Sequence, residues 1–483
     1  MRKVKSKTPK AHKTIKRPDL TIEVKNFGPI SKGTVSLKNL TVLIGQNNSG
    51  KSYIAMLVHA LAESYNQWFI PIKSPIDDYV RKATEFQNIA NTVPELENFL
   101  RPLINSSIGN SKIPDEISIS ILDELYKYFY KHYLKATMEK MYACQHKELT
   151  LIDQNSYKIK ITHNGNISVL CLAHHGESMK INNTINLDRI DNQLQDYFGR
   201  IKNHEITDIR AVKRFFVQDY NEIIAEQFKM PFSYCLPAGR TGILQCYRTL
   251  YGTIVNNLTF SSTRKTEPAS MQGTVVELLY NIYEMPEKKG PLYDMAVEFE
   301  QDTINGEIVI ERTLPGSFPR IQYRFKETVI PIHRTSSTVS ELAPIILYLK
   351  YYIEPGDIMI IEEPEAHLHP SNQRLMAKLL VRLIRAGVYV IITTHSDFLL
   401  EQLSYYLLLS TLPEEKRQTF DKELYLSLEE LGAYVFHQNK SANGYQIREA
   451  EIDKDNGISD EEFLKITESL FDDTMKIRDS LRD

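Results

Sequence analysis

Cysteine is scarce in this chain. Four residues (Cys144, Cys171, Cys235, Cys246) are spread over 483 positions, none in a Cys-x-x-Cys pair. That argues against a disulfide framework, a zinc ribbon and a thioredoxin-type site, and fits a reducing compartment. Long apolar runs are also missing. Nothing approaches the roughly 18–20 residues that span a bilayer, so no membrane association is expected. The basic N-terminal stretch lacks the apolar core of a secretory signal, and a cytoplasmic location is the expectation. Glycine and proline are few, 20 and 21, which excludes a collagen-like or low-complexity chain. What remains is ordinary for a globular protein, with 42% apolar and 25% charged residues. The length allows about two to four domains.

The net charge of −3 conceals an asymmetry. Residues 1–18 carry eight Lys or Arg and no acid, whereas residues 449–483 carry twelve acids against five bases. The first segment reads as a disordered, solvated tail. The same charge could hold nucleic acid through counterion release.

Leu20 to Val24, Val35 to Leu37 and Thr41 to Ile44 read as strands, and a helical pattern runs from Lys51 to Phe69. Residues 61–230 read as a mainly helical insertion. Ile121, Leu122, Leu125, Phe129 and Tyr133 recur at helical spacing, more in keeping with packing than with base stacking. Tyr157 to Ile161 and Ile167 to Cys171 alternate around Asn164-Gly165, the pattern of a β-hairpin. Gly306 to Ile310 and Ile321 to Phe325 form a further strand pair. Ile358 to Ile361 and Val388 to Ile392 are continuous apolar strands separated by a helix over 373–386. That is the pattern of a parallel sheet buried on both faces. The expected organisation is a tail (1–18), an N-terminal lobe (19–60), the insertion (61–230), the rest of that lobe (231–345), a second lobe (346–410) and a C-terminal extension (411–483). The extension carries two short strands and an acidic amphipathic helix over 458–481, expected to pack on its own lobe.

The chemistry concentrates at a few positions. Gly45-Gln46-Asn47-Asn48-Ser49-Gly50-Lys51-Ser52 fits G-x-x-x-x-G-K-[ST], between a strand and a helix. In such a loop backbone N–H groups and the helix N-terminus face a phosphate. Lys51 reaches the β- and γ-phosphates, and Ser52 binds Mg²⁺. ATP and Mg²⁺ are therefore the expected cofactors. Glu362 and Glu363 end a buried strand at the carboxyl edge of the sheet, where ligands bind. Glu362 is a candidate Mg²⁺ ligand, and Glu363 a candidate to orient the attacking water. Alone, the pair could instead be an acidic helix start. His395 ends the next strand and could sense a γ-phosphate. His367 and His369 alternate, but no third ligand stands nearby, and both read as structural. Ser336 and Ser337 begin a strongly apolar helix. They are either its N-cap alone or a phosphate-binding helix start supplied to a second subunit.

Taken in order, these motifs resemble ABC-type ATPases. The segments Glu362-Glu363-Pro364-Glu365-Ala366-His367-Leu368-His369-Pro370, Pro237-Ala238-Gly239-Arg240 and Ser336 to Pro344 resemble the OLD (overcoming lysogenization defect) family. That group includes ATPase components of bacterial anti-phage systems of the Gabija, Septu and PARIS types. The resemblance covers residues 19–60 and 231–410. It implies an α/β fold, an ABC-type P-loop NTPase head of mixed and parallel sheet with a helical insertion. It also implies a homodimer closed around ATP and control of a separate effector such as a nuclease. By resemblance, Lys51 and Ser52 are the Walker A pair, Glu362 and Glu363 the Walker B pair, Ser336 and Ser337 the signature serines and His395 the switch histidine. Arg240 lies where the family places an arginine near the nucleotide-facing lobe, and is by resemblance a candidate nucleotide-binding residue. The chain departs from the pattern at Thr338, where the signature usually has Gly, which implies slow turnover. Glu362 replaces the usual Asp. The 73 residues after position 410 show no Asp-x-Asp strand end, so no Toprim nuclease is expected within them.

Two other readings share the phosphate loop. A DNA-maintenance ATPase of RecF or SMC type is supported by the basic tail, but no long coiled coil fits the insertion. A transporter's nucleotide-binding subunit matches the motifs less well.

Overall fold

A computed structural model describes residues 20–69, 86–98, 133–142, 156–163, 166–173, 176–182, 230–260, 271–312, 318–417, 424–438, 443–453, 457–459 and 461–480, with isolated positions elsewhere. The basic tail, Phe129 and the Asn164-Gly165 turn lie outside the described residues.

Strands β1 (Leu20–Phe27), β2 (Ile30–Ser36) and β3 (Leu40–Gly45) lead into helix α1 (Lys51–Phe69). Helix α2 (Lys135–Tyr142) precedes β4 (Ser156–His163), β5 (Asn166–Ala173) and β6 (Gly176–Asn182). Then follow β7 (Ser233–Leu236), α3 (Arg240–Phe260), α4 (Gly273–Tyr283), α5 (Tyr293–Ile304), β8 (Glu307–Glu311), β9 (Arg320–Phe325) and β10 (Thr328–Pro331). The remainder is α6 (Ser337–Tyr351), β11 (Ile358–Glu362), α7 (Pro370–Arg385), β12 (Tyr389–Thr394), α8 (Asp397–Thr411), α9 (Glu414–Arg417), β13 (Leu431–Gln438), β14 (Tyr445–Glu449), the short pair β15 (Ile452–Asp453) and β16 (Gly457–Ile458), and α10 (Glu461–Ser480).

Eleven strands form one sheet in the order β6-β5-β4-β1-β2-β14-β13-β3-β12-β11-β7. Its two halves differ. From β13 to β7 every pairing is parallel. From β6 to β2 every pairing is antiparallel. This is the mixed α/β head expected from the sequence. In the parallel block successive side chains enter opposite cores. Met359 and Ile361 join one cluster, Ile358 and Ile360 the other. Burial on both faces explains why β11 and β12 read as unbroken apolar runs. No described helix is long and apolar enough to cross a membrane.

The sheet departs from the sequence reading in position more than in content. The hairpin expected inside the insertion is present as β4 and β5, but β4 pairs with β1, so it extends the central sheet. The two C-terminal strands also belong to that sheet. β13 lies directly beside β3, the strand entering the phosphate loop. The short pair expected at 306–325 gains a third strand, β10. The acidic helix forms as α10; the C-terminal part of its apolar stripe is exposed, and the side chains of Phe463 and Ile466 lie outside the described residues. Leu470, Phe471 and Ile477 are 67%, 62% and 63% exposed.

One buried polar contact fastens α1 to the sheet. His59 is fully buried, its Nδ1 3.0 Å from Ser233 Oγ and its Nε2 2.6 Å from Glu277 Oε2. Burial alone lowers the imidazole's pKa, but the Glu277 carboxylate outweighs it and the net shift is upward. The stabilisation is therefore fully present below the ordinary imidazole pKa and is lost as pH rises through the raised one. Glu277→Ala is expected to cost on the order of 3 kcal/mol at pH 6, since it leaves a buried cation unpaired. Denaturant titration at pH 6 and pH 9 checks this, and the loss should shrink at the higher pH.

Candidate nucleotide site

The loop from Gly45 to Ser52 turns the chain from β3 into α1 through left-handed backbone at Gly45, Asn48 and Gly50, with φ of 148°, 62° and 102°. Two of these positions have no room for a side chain. A Cβ at Gly45 would lie 2.6 Å from the Phe436 carbonyl oxygen, and one at Gly50 2.7 Å from Ile30 Cγ1. Gln46, Asn47 and Asn48 form the exposed tip, Ser49 is buried, and Ser52 sits half-buried in the first turn of α1.

Lys51 folds over this loop, its Nζ donating to the carbonyls of Gly45 and Gln46 at 2.8 Å each. Burial lowers its pKa to about 8, against the upward pull of Glu363, Glu365 and Glu362. The loop cation and the carboxylates at the end of β11 thus share one electrostatic neighbourhood. A phosphate at Lys51 would raise that pKa again, so binding should take up a proton. Nucleotide affinity is expected to fall as pH rises through about 8. Calorimetry in buffers of different ionisation enthalpy checks this, because proton uptake near pH 8 makes the apparent binding heat buffer-dependent.

Glu362 is buried. Its Oε2 accepts the Ala238 N–H at 3.1 Å. Its Oε1 is buried with no hydrogen-bond partner. An acceptor-only oxygen that is desolvated and unpartnered is costly unless a cation meets it, and a carboxylate suits Mg²⁺. The residues present therefore fit the ion, with Glu362 and Ser52 as the candidate ligands.

Glu363 holds a left-handed backbone, φ 45°, unusual for a residue with a side chain. Its N–H donates to the Thr393 carbonyl at 3.0 Å and lies 3.2 Å from Thr393 Oγ1. This anchor to β12 turns the carboxylate toward His395, with Oε1 3.3 Å from Nε2. The His395 hydrogen bond holds the Glu363 pKa below the ordinary carboxylate value despite partial burial, helped by the charges of His395, Lys51 and Arg240.

Glu365 is the residue that sequence reasoning overlooks. Its Oε1 accepts from Thr394 Oγ1 at 2.6 Å and from the His395 N–H at 2.9 Å, fixing the backbone that carries the histidine. The available signal is a third carboxylate two residues after Glu363 in the same acidic segment. His367 and His369 are exposed. His369 caps α7, its Nδ1 accepting the Ser371 N–H. That cap starts the helix three residues earlier than its apolar periodicity indicates.

Ser336 is the N-cap of α6, accepting the Val339 N–H. Ser336 and Ser337 are exposed at that helix end. Among the described residues, no hydrogen bond joins either to the phosphate loop. Thr338 Oγ1 donates to the His367 carbonyl at 3.1 Å, linking this helix start to the turn after β11.

Arg240 requires a correction. Expected to bind the nucleotide, it is fully buried beneath the acidic residues of the site. Its guanidinium donates to the carbonyls of Pro237, Glu362, Glu363 and Glu341 and pairs with the Glu341 carboxylate at 2.7 Å. Four hydrogen bonds to carbonyl oxygens and the ion pair turn the guanidinium inward, and being fully buried it offers no exposed face to a phosphate.

A glycine-bearing loop with its lysine, opposite acidic residues on a strand one removed in a parallel sheet, defines a P-loop ATPase head. The sequence matches the AAA ATPase domain family over residues 20–229 and 102–400, and the chain belongs to that family. No curated protein matches it. Similar solved structures include an SMC head bound to the C-terminal winged-helix domain of ScpA (10% identity, TM-score 0.40, covering 90% of this chain and 98% of that one). The SMC head domain from Thermotoga maritima is another (10%, 0.34, 89% and 98%). A third is an Smc head with an extended coiled coil, bound to the C-terminal domain of ScpA derived from Pyrococcus furiosus (12%, 0.39, 94% and 100%).

Proposed function

We propose that the protein is a Mg²⁺-dependent ABC-type ATPase of the OLD-like group. In this reading it dimerises around ATP and acts as the sensor or scaffold of a bacterial anti-phage system, governing a separate effector such as a nuclease. The observation that carries the ATPase reading is the gathering of Lys51, Glu362, Glu363, Glu365 and His395 around the carboxyl ends of β3, β11 and β12.

Hydrolysis there rests on positioning and charge neutralisation. Lys51 offsets the negative charge of the β- and γ-phosphates. Glu363, ionised and held by His395, accepts a hydrogen bond from the attacking water and aligns it with the γ-phosphorus. Its lowered pKa suits orienting and polarising that water better than carrying away its proton. Mg²⁺ held by Ser52 and Glu362 would neutralise charge on the transferring group. The exposed start of α6, with Ser336 and Ser337, supports a second nucleotide contact made across a dimer. Thr338, at the position usually held by glycine, supports slow turnover.

The test is a pull-down of tagged Glu363→Gln protein from its native host with ATP and Mg²⁺. A stoichiometric nuclease encoded beside it supports the defence reading. Nuclease-sensitive DNA with no such protein sinks it and favours DNA maintenance.

A further inference from the structure

The Arg240–Glu341 pair joins two parts of the head that lie far apart in sequence. Glu341 is in the second turn of α6, the helix whose exposed start carries Ser336 and Ser337, and both partners are fully buried. Glu341 Oε2 also accepts from the Thr241 N–H at 3.0 Å and from Thr241 Oγ1 at 2.7 Å. The Thr241 hydroxyl lies within 3.2 Å of the Ser337 carbonyl oxygen as well. On its other side Arg240 holds the carbonyl oxygens of Glu362 and Glu363. The start of α6 is thus connected through Thr241, Glu341 and Arg240 to the backbone of both acidic residues at the end of β11.

The Glu363 end of this chain carries the left-handed, strained backbone. Strain of this kind persists only where the surroundings hold it. Three restraints hold it here: Thr393 on the N–H, and the Ala366 N–H and Arg240 on the carbonyl, of which only Arg240 reaches it from outside the turn and β12. A buried ion pair is weak evidence of stabilisation as such. The planar fork of arginine, however, fixes several acceptors in one geometry, which lysine cannot do.

We propose that Arg240 is a positioning residue, held by Glu341, that fixes the Glu363 backbone and transmits displacement of the α6 N-terminus to the water-orienting carboxylate. This deepens the ATPase reading and rests on it only for its kinetic consequence.

The test uses Arg240→Lys, which keeps the charge and loses the fork, and Thr241→Val, which removes only the half-buried hydroxyl link. Each folded variant is compared with wild type by hydrogen–deuterium exchange, by equilibrium binding of a fluorescent ATP analogue and by steady-state ATPase kinetics. In Arg240→Lys, amide exchange should accelerate over 362–366 and stay unchanged over the loop 45–52. kcat should fall about 10²-fold, the size of effect that misplacing a reacting group by about 1 Å produces. Nucleotide affinity should stay within about threefold, under half the free energy of a tenfold change in equilibrium constant. Thr241→Val should show the same pattern more weakly. Unchanged exchange over 362–366 in the folded Arg240→Lys protein overturns the proposal, as does a loss of affinity in proportion to the loss of kcat. If wild type neither binds nor hydrolyses ATP, the ATPase reading fails, and the exchange data still decide whether Arg240 fixes this backbone.

Discussion

Glu363→Gln is expected to lower kcat for ATP hydrolysis by about 10²-fold or more, the size of effect that misplacing a reacting group produces. ATP affinity should be retained or increased. The carboxylate faces His395 and lies near Lys51. Neutralising it removes one of the anions that would oppose a bound γ-phosphate, which favours binding. It also removes the oxygen that accepts the water's hydrogen bond. The substitution is nearly isosteric, and the backbone contacts to Thr393 and Arg240 do not depend on the side chain. A loss of kcat without loss of folding is therefore the expected result. Gel filtration with ATP and Mg²⁺ should show a persistent dimer in the variant. If Glu363→Gln turns over within about twofold of wild type, the water-orienting role belongs to another residue, because the expected effect is at least about 10²-fold.

What can be read from the sequence depends on the range of the interactions involved. The phosphate loop is legible because its constraint is local. Gly45, Asn48 and Gly50 take up left-handed backbone within six residues of chain, and Lys51 hydrogen-bonds back five and six positions. The acidic strand end is legible because burial on both faces leaves an unbroken apolar run just before Glu362. His395 can be found for the same reason, one strand later. Long-range partners leave no comparable trace. Arg240 and Glu341 are 101 residues apart, and nothing near either one announces the pair. The arginine's expected nucleotide contact comes from a family position, whereas its actual environment is set by three elements packed over it. His59 and Glu277, 218 residues apart, are hidden in the same way. Strand position behaves likewise. The alternation in β4 and the apolar run in β13 identify strands, but not that they flank β1 and β3. Glu365 combines both cases. It lies within the legible acidic segment, yet its role is set by Thr394 and His395, 29 and 30 residues further along the chain.

Lys51→Ala is expected to weaken ATP binding by about 10²-fold, since charge-assisted hydrogen bonds contribute roughly 1.5–3 kcal/mol each and every 1.4 kcal/mol is tenfold. Folding should survive, and the reason is contained in the lysine's own environment. Burial lowers its pKa to about 8, so the fold resists the charged form. Between about 8 and the ordinary lysine value the unfolded chain binds more protons than the native one, and wild-type stability rises with pH over that window. The alanine variant lacks the group, so it should lose this slope and be no less stable than wild type at pH 7 for electrostatic reasons. Stability and binding thus move independently, which separates a lost phosphate contact from a damaged fold. Thermal melts at pH 7 and pH 9.5, with equilibrium binding of a fluorescent ATP analogue at pH 7, measure both. A variant that binds ATP as wild type does would remove Lys51 from the nucleotide site. It would also leave the convergence of Glu362, Glu363 and Glu365 on this buried cation as a structural ion cluster.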